Sequence, residues 1–166
     1  MFSSPLVWIV KDSQNGIIDV KESDVISYQD EFPRLLRSLK KFDKNIRYKK
    51  IVGTKENLEE MFQEKPMILQ FSGHGMVEEN GKQHMIILEH NQGCSYYLQE
   101  DTLKDMLKSS NCQIQLAFIL SCYSERTAFS FFKAGAKHVI GIRGDYEVSN
   151  EAASLFSELL YKYLLN

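Results

Sequence analysis

Long apolar runs are missing from this 166-residue sequence: the two longest, Leu6 to Val10 and Leu116 to Leu120, hold five residues each. A bilayer takes roughly 20, so neither reads as a transmembrane helix. The first is also too short for the apolar core of a secretory signal, and Lys11 and Asp12 follow it at once. Cysteine is scarce. Cys94, Cys112 and Cys122 are odd in number and not closely paired, which excludes a disulfide framework and points to a reducing compartment, the cytoplasm. Charge of one sign is not in excess, with 20 Lys and Arg against 22 Asp and Glu, so there is no global pull toward nucleic acid or an anionic membrane. Three prolines form no rich linker, and neither an internal repeat nor a low-complexity tract interrupts the chain. The expectation is one domain over 1–166, standing alone or within a longer parent chain.

Two further absences narrow the chemistry. Neither Gly-x-Gly-x-x-Gly nor the lysine-containing phosphate loop occurs, which argues against a nucleotide-binding domain. His84, His90 and Cys94 match no standard zinc spacing and straddle an apparent hairpin, so no metal and no other cofactor is expected.

What is present is alternation. Short β-rich runs at Leu6 to Val10, Ile46 to Ile51, Met67 to Ser72, Ile114 to Ser121 and His138 to Ile142 read as strands separated by helical patterns, which predicts an α/β fold with a mostly parallel sheet of about five strands. Phe32, Leu35, Leu36, Leu39 and Phe42 fall at helical spacing with basic residues on the other side. Shorter helices are expected at Asn57 to Gln63 and at Thr102 to Lys108, the latter capped by Asp101. Thr127 to Lys133 should stop at Gly135, and Asn150 to Leu164 places Ala153, Leu155, Phe156, Leu159, Leu160 and Tyr163 at helical spacing. Ahead of the Thr102 to Lys108 helix, Gly81 to Tyr97 reads as an inserted β-hairpin. Eight Lys and Arg residues from Arg34 to Lys50 face a single Asp43 and read as a solvated helix face, not a direct nucleic-acid surface.

The strand Met67 to Ser72 runs into Gly73-His74-Gly75, and Ile114 to Ser121 runs into Cys122 just before a helix. In an open parallel sheet, reactive groups gather outside the C-terminal ends of the strands, so adjacent strands would bring His74 and Cys122 together. A thiol becomes a strong nucleophile on deprotonation, which a nearby imidazole and a helix N-terminus both favour. Backbone N–H groups of Gly75 and Cys122 would then form an oxyanion hole for an acyl-transfer intermediate.

Three blocks occur in order: Phe71-Ser-Gly-His-Gly75, Leu120-Ser-Cys-Tyr-Ser-Glu125 and Phe132-Lys-Ala-Gly-Ala-Lys-His-Val-Ile-Gly-Ile142. Together they resemble the CHAT-domain branch of the caspase-like (clan CD) cysteine peptidases, relatives of separase, gingipain and caspases, over roughly the C-terminal two-thirds of the chain. The resemblance implies a three-layer sandwich of sheet and flanking helices. It implies a cofactor-free cysteine endopeptidase with His74 as general base and Cys122 as nucleophile, acting on protein or peptide substrates in a regulatory, defence or cell-death setting. A regulatory protein or helical-repeat partner is also in keeping with the family. The loop after the last strand helps wall the substrate pocket in that family, which nominates Asp145 and Tyr146, the latter standing where many relatives carry Trp, with Leu120 beside them. Caspases proper have Gln-Ala-Cys at the nucleophile where this chain has Leu120-Ser121-Cys122, so aspartate specificity is not implied. The rival expectation is a catalytically silent interaction module on the same fold.

Overall fold

The computed structural model describes residues 2–3, 7–12, 16–22, 28–40, 46–77, 84–90, 94–143, 146 and 148–165. In chain order the elements are β1 (Phe2–Ser3), β2 (Val7–Asp12), β3 (Gly16–Glu22), α1 (Tyr28–Lys40), α2 (Lys55–Gln63), β4 (Ile68–Gly73), β5 (Gly75–Val77), β6 (His84–Glu89), β7 (Ser95–Leu98), α3 (Glu100–Ser110), β8 (Leu116–Leu120), α4 (Glu125–Lys133), β9 (His138–Gly141) and α5 (Asn150–Leu164). The architecture is mixed α/β. The chain divides into two compact units, Met1–Val25 with Ile51–Glu147, and Ile26–Lys50 with Val148–Asn166.

The first unit is built on a four-stranded sheet in the order β1-β4-β8-β9, every neighbouring pair parallel. β8 is buried at all five positions, the signature of a strand covered on both faces, and this is why its sequence is an unbroken apolar run. Side chains alternate across a strand. Ala117 and Ile119 of β8, with Leu69 and Phe71 of β4, therefore share one face, and they join Leu58 and Phe62 of α2, Leu103 and Leu107 of α3 and Phe131 of α4 in a single core. Phe62 and Phe131 meet edge to face at 6.4 Å, the arrangement that aromatic quadrupoles favour. A second, antiparallel sheet joins β5, β6 and β7, and β2 pairs with β3 as a separate antiparallel hairpin.

Local chemistry explains the helix ends. The Thr54 hydroxyl accepts from the Asn57 N–H at 3.2 Å and so caps α2. At the end of α4, Gly135 takes φ of +110°. Its N–H donates to Phe132 C=O and the Ala136 N–H to Phe131 C=O, which closes a Schellman motif. The helices α3 and α4 are tied by Glu100, whose carboxylate takes Lys104 at 2.6 Å and faces Lys133 at 3.8 Å. Partial burial alone would raise the Glu100 carboxyl, but hydrogen bonding to Lys104 and Ser130 and the charges of Lys104 and Lys133 hold it below its usual range.

In the second unit α1 packs against α5. Phe32 meets Tyr48 edge to face at 6.2 Å, and the Lys50 ammonium stands 4.7 Å from the Phe32 ring, a cation–π contact. The Ser149 hydroxyl accepts from Ala152 N–H and caps α5.

Three expectations need correction. The first apolar run does form a strand, β2, but it pairs antiparallel with β3 and lies outside the parallel sheet, whose first strand is β1 instead. Only three residues separate β2 from β3 in sequence, so their antiparallel pairing closes a short loop at small entropic cost. Residues 46–51 form no strand. Arg47, Lys49 and Lys50 interrupt that run and Tyr48 is exposed, so no face is apolar enough to be drawn into a ladder. The parallel sheet accordingly has four strands among the described residues, not five. Asp101 lies inside α3, which begins after Gln99, and its carboxylate receives Lys104 instead of capping a backbone N–H. Helix α5 has the expected bounds; its buried residues are Ser154, Ser157 and Tyr161, while Leu155, Phe156, Leu159 and Tyr163 are exposed.

Candidate active site

His74 and Cys122 leave neighbouring parallel strands at the same level. The β4–β8 ladder ends with Ser72 opposite Leu120, and each candidate residue lies two positions further along its own chain. Both side chains are half-buried, open enough to meet a solute and enclosed enough to be held.

The histidine stands where the chain passes from one sheet to another. β4 ends at Gly73 and β5 begins at Gly75. The His74 carbonyl accepts from Ile87 N–H at 3.0 Å. That bond makes Gly75 and Ile86 a non-hydrogen-bonded pair of the antiparallel ladder, so the Gly75 N–H is turned away from β6. Gly75 also has to be glycine. A Cβ there would overlap the Cys122 carbonyl oxygen and stand 3.0 Å from the Ser121 hydroxyl, so the chain after the histidine lies directly against the chain at the cysteine.

The cysteine side is built without glycine. Tyr123 adopts φ of +58°, a left-handed conformation that side-chain-bearing residues rarely take and that concentrates where a fold holds a functional turn. It reverses the chain between β8 and α4. Ser124 then occupies the helix N-cap, yet its hydroxyl caps nothing in α4. Fully buried, it donates to Ile119 C=O and accepts from Ile142 N–H, both at 2.9 Å, while Glu125 N–H donates to Ile142 C=O at 2.8 Å. These bonds stitch the turn after Cys122 to the end of β9. Gly141 permits the approach, since a Cβ there would stand 2.7 Å from that of Ala128.

Of the pocket nominations, Leu120 is buried, and Tyr146 is exposed with the Arg143 guanidinium 5.3 Å from its ring. Asp145 lies outside the described residues. Arg143 thus faces Tyr146 in the loop after β9, with Tyr146 N–H donating to the Arg143 carbonyl. Sequence reasoning missed both Tyr123 and Ser124. A serine ahead of a helix is a capping signal that would have drawn attention to Ser124, though not to its partners. Nothing in an aromatic residue signals a left-handed turn.

The other thiols are placed differently. Cys112 is buried, and that burial pushes its thiol up despite Lys65 nearby, the opposite direction from the one that activates a thiol. It lines an open cavity of about 500 Å³ with Leu107, Asn111, Gly135 and Lys137, at the N-terminal ends of β8 and β9 and so away from the His74–Cys122 end. Cys94 is half-buried at the start of β7. Among the described residues no three His, Cys, Asp or Glu side chains gather to hold a metal ion, and no helix is long and apolar enough to cross a membrane.

No protein-family model matches the chain, and no curated protein matches it.

Proposed function

We propose that this chain is a caspase-like, CHAT-type cysteine endopeptidase acting in the cytoplasm through a His74/Cys122 dyad. The observation that carries the reading is the shared level of the two residues on adjacent parallel strands, with Gly75 packed on the Cys122 backbone. Thiolate and imidazole are then presented at one sheet end, where open α/β sheets bind their ligands.

The steps follow from the groups available. His74 takes the Cys122 proton, and the thiolate attacks the scissile carbonyl carbon. The oxyanion that develops is met by backbone N–H groups of Gly75 and Cys122. The first of these is not spent on β6, so a donor stands ready without rearrangement of the ladder. Collapse of the intermediate expels the amine, which leaves with the proton that His74 returns, and water then releases the acyl group with His74 as base. Tyr123 and Ser124 act by position, fixing where the thiol stands relative to the loop that contains Arg143 and Tyr146.

Cleavage of a diverse peptide library and alkylation of Cys122, compared between wild type and the Cys122→Ala and His74→Ala variants, test this directly. Each variant is expected to lose activity by about a thousandfold or more. Unchanged cleavage in either variant ends the mechanism. A folded wild type with no turnover and an ordinary thiol alkylation rate would support the silent interaction module instead.

A further inference from the structure

Helix α5 turns its least apolar side inward. Ser154, Ser157 and Tyr161 are buried, whereas Leu155, Leu159, Tyr163 and Leu164 are 55%, 41%, 72% and 47% exposed, with Phe156 half exposed beside them. Phe156, Leu159, Leu160, Tyr163 and Leu164 line a shallow apolar concavity of about 460 Å³. A contiguous apolar surface of this kind marks an interaction site on most soluble proteins. The charges along its margin say what fits it.

At about 100° per residue, Glu151, Glu158 and Lys162 line one flank of the apolar stripe, and Leu160 and Leu164 line the other. Two helices related by a two-fold axis and packed antiparallel bring like flank to like flank, because such an interface is isologous. The stripe from Leu155 to Leu164 has its midpoint between Leu159 and Leu160, and the midpoint of Glu158 and Lys162 is Leu160 itself. One axis therefore serves both patterns. It buries the stripe against its copy and sets Glu158 opposite Lys162 of the second molecule twice over. Parallel packing would face both charges with the leucine flank, and would align the helix dipoles unfavourably. Lys162 already holds its ammonium 5.7 Å from the Tyr163 ring, at the rim of the patch.

We infer that α5 is the two-fold interface of a homodimer, the partner being the antiparallel α5 of a second copy of this chain. A single helix pair lies at the small end of specific interfaces, so the dimer is expected to dissociate in the micromolar range, around 1–100 μM.

Sedimentation velocity on the full chain over a concentration series spanning that range tests the proposal, with circular dichroism to confirm folding. Wild type is expected to pass from monomer to dimer, and Leu159→Glu to stay monomeric throughout. Glu158→Lys alone should weaken association about tenfold, since it sets Lys against Lys at two places. The double reversal Glu158→Lys/Lys162→Glu should return to within about threefold of wild type, because the exchanged charges meet again across the axis. A wild type that remains monomeric at the highest concentration overturns the proposal. So does a double reversal no better than the single one, a result that stays informative even if Leu159→Glu fails to fold.

Discussion

The two strand ends that meet at the candidate site are fixed by opposite means. On the β4 side the chain relies on what is missing: glycines stand on either side of His74, and Gly75 fits against Cys122 because it has no Cβ. On the β8 side it relies on what is present. Tyr123 is held in a left-handed conformation, and the buried Ser124 hydroxyl joins Ile119 to Ile142 across the sheet end. Steric permission makes the first end sensitive to added atoms. Hydrogen bonding makes the second sensitive to removed ones.

That contrast is open to direct attack. The largest effect is expected from Gly75→Ala, because the new methyl meets backbone, which cannot rotate out of the way as a side chain can. A loss of about 2–3 kcal/mol in denaturant unfolding is expected, with loss of any Cys122-dependent cleavage. Stability within about 0.5 kcal/mol of wild type would show that the two strand ends are not in rigid contact. Ser124→Ala comes next. It deprives one part-buried N–H and one buried C=O of their hydroxyl partner, for a cost of about 2 kcal/mol and faster hydrogen exchange at the Ile142 amide. An Ile142 amide as protected as before would remove Ser124 from its proposed role.

The turn itself is isolated by comparing Tyr123→Val with Tyr123→Gly. Both lose the ring, so their difference reads the backbone, and the valine variant should be less stable by about 1–2 kcal/mol. Equal melting would mean that the left-handed conformation is not retained. The smallest effect lies outside both ends, at the Glu100 clamp between α3 and α4. The Glu100 carboxyl is held below its ordinary value in the folded protein. Its stabilisation is therefore present at neutral pH and is lost as pH falls from the unfolded-state value through the lower folded one. Glu100→Gln should cost about 0.5 kcal/mol at neutral pH, after allowance for the carboxylate's contact with solvent. That difference should close on acidification, and one that widens as the carboxylates protonate would mean that ionised Glu100 does not stabilise the fold.

Legibility in the sequence followed the range of the interaction concerned. The strand that became β8 was plain because burial on both faces demands an apolar run, and the end of α4 was plain because Gly135 is suited to a left-handed cap. Bounds for α5 followed from the helical spacing, whereas its Ser149 cap came from the structure. Its inward face did not follow from that spacing, because amphipathic spacing shows that a helix has an apolar side and is silent on whether the neighbour that covers it belongs to the same molecule. The strand at Val7–Asp12 was visible as a strand, but a hairpin partner nearby in sequence competes with the parallel sheet for it, and that competition is decided by packing.

For the candidate site, residue types and their positions at strand ends came from the sequence by itself: a histidine between glycines after one apolar run, and a cysteine between another run and a helix. Local chain chemistry suffices for that. Only the tertiary structure decided that Ser72 stands opposite Leu120, which sets His74 and Cys122 level, that Gly75 lies against the Cys122 carbonyl, and that Ser124 bonds to Ile119 and Ile142. Register, close contact and buried hydrogen bonds join residues up to about fifty positions apart, and no local preference encodes a pairing over that separation.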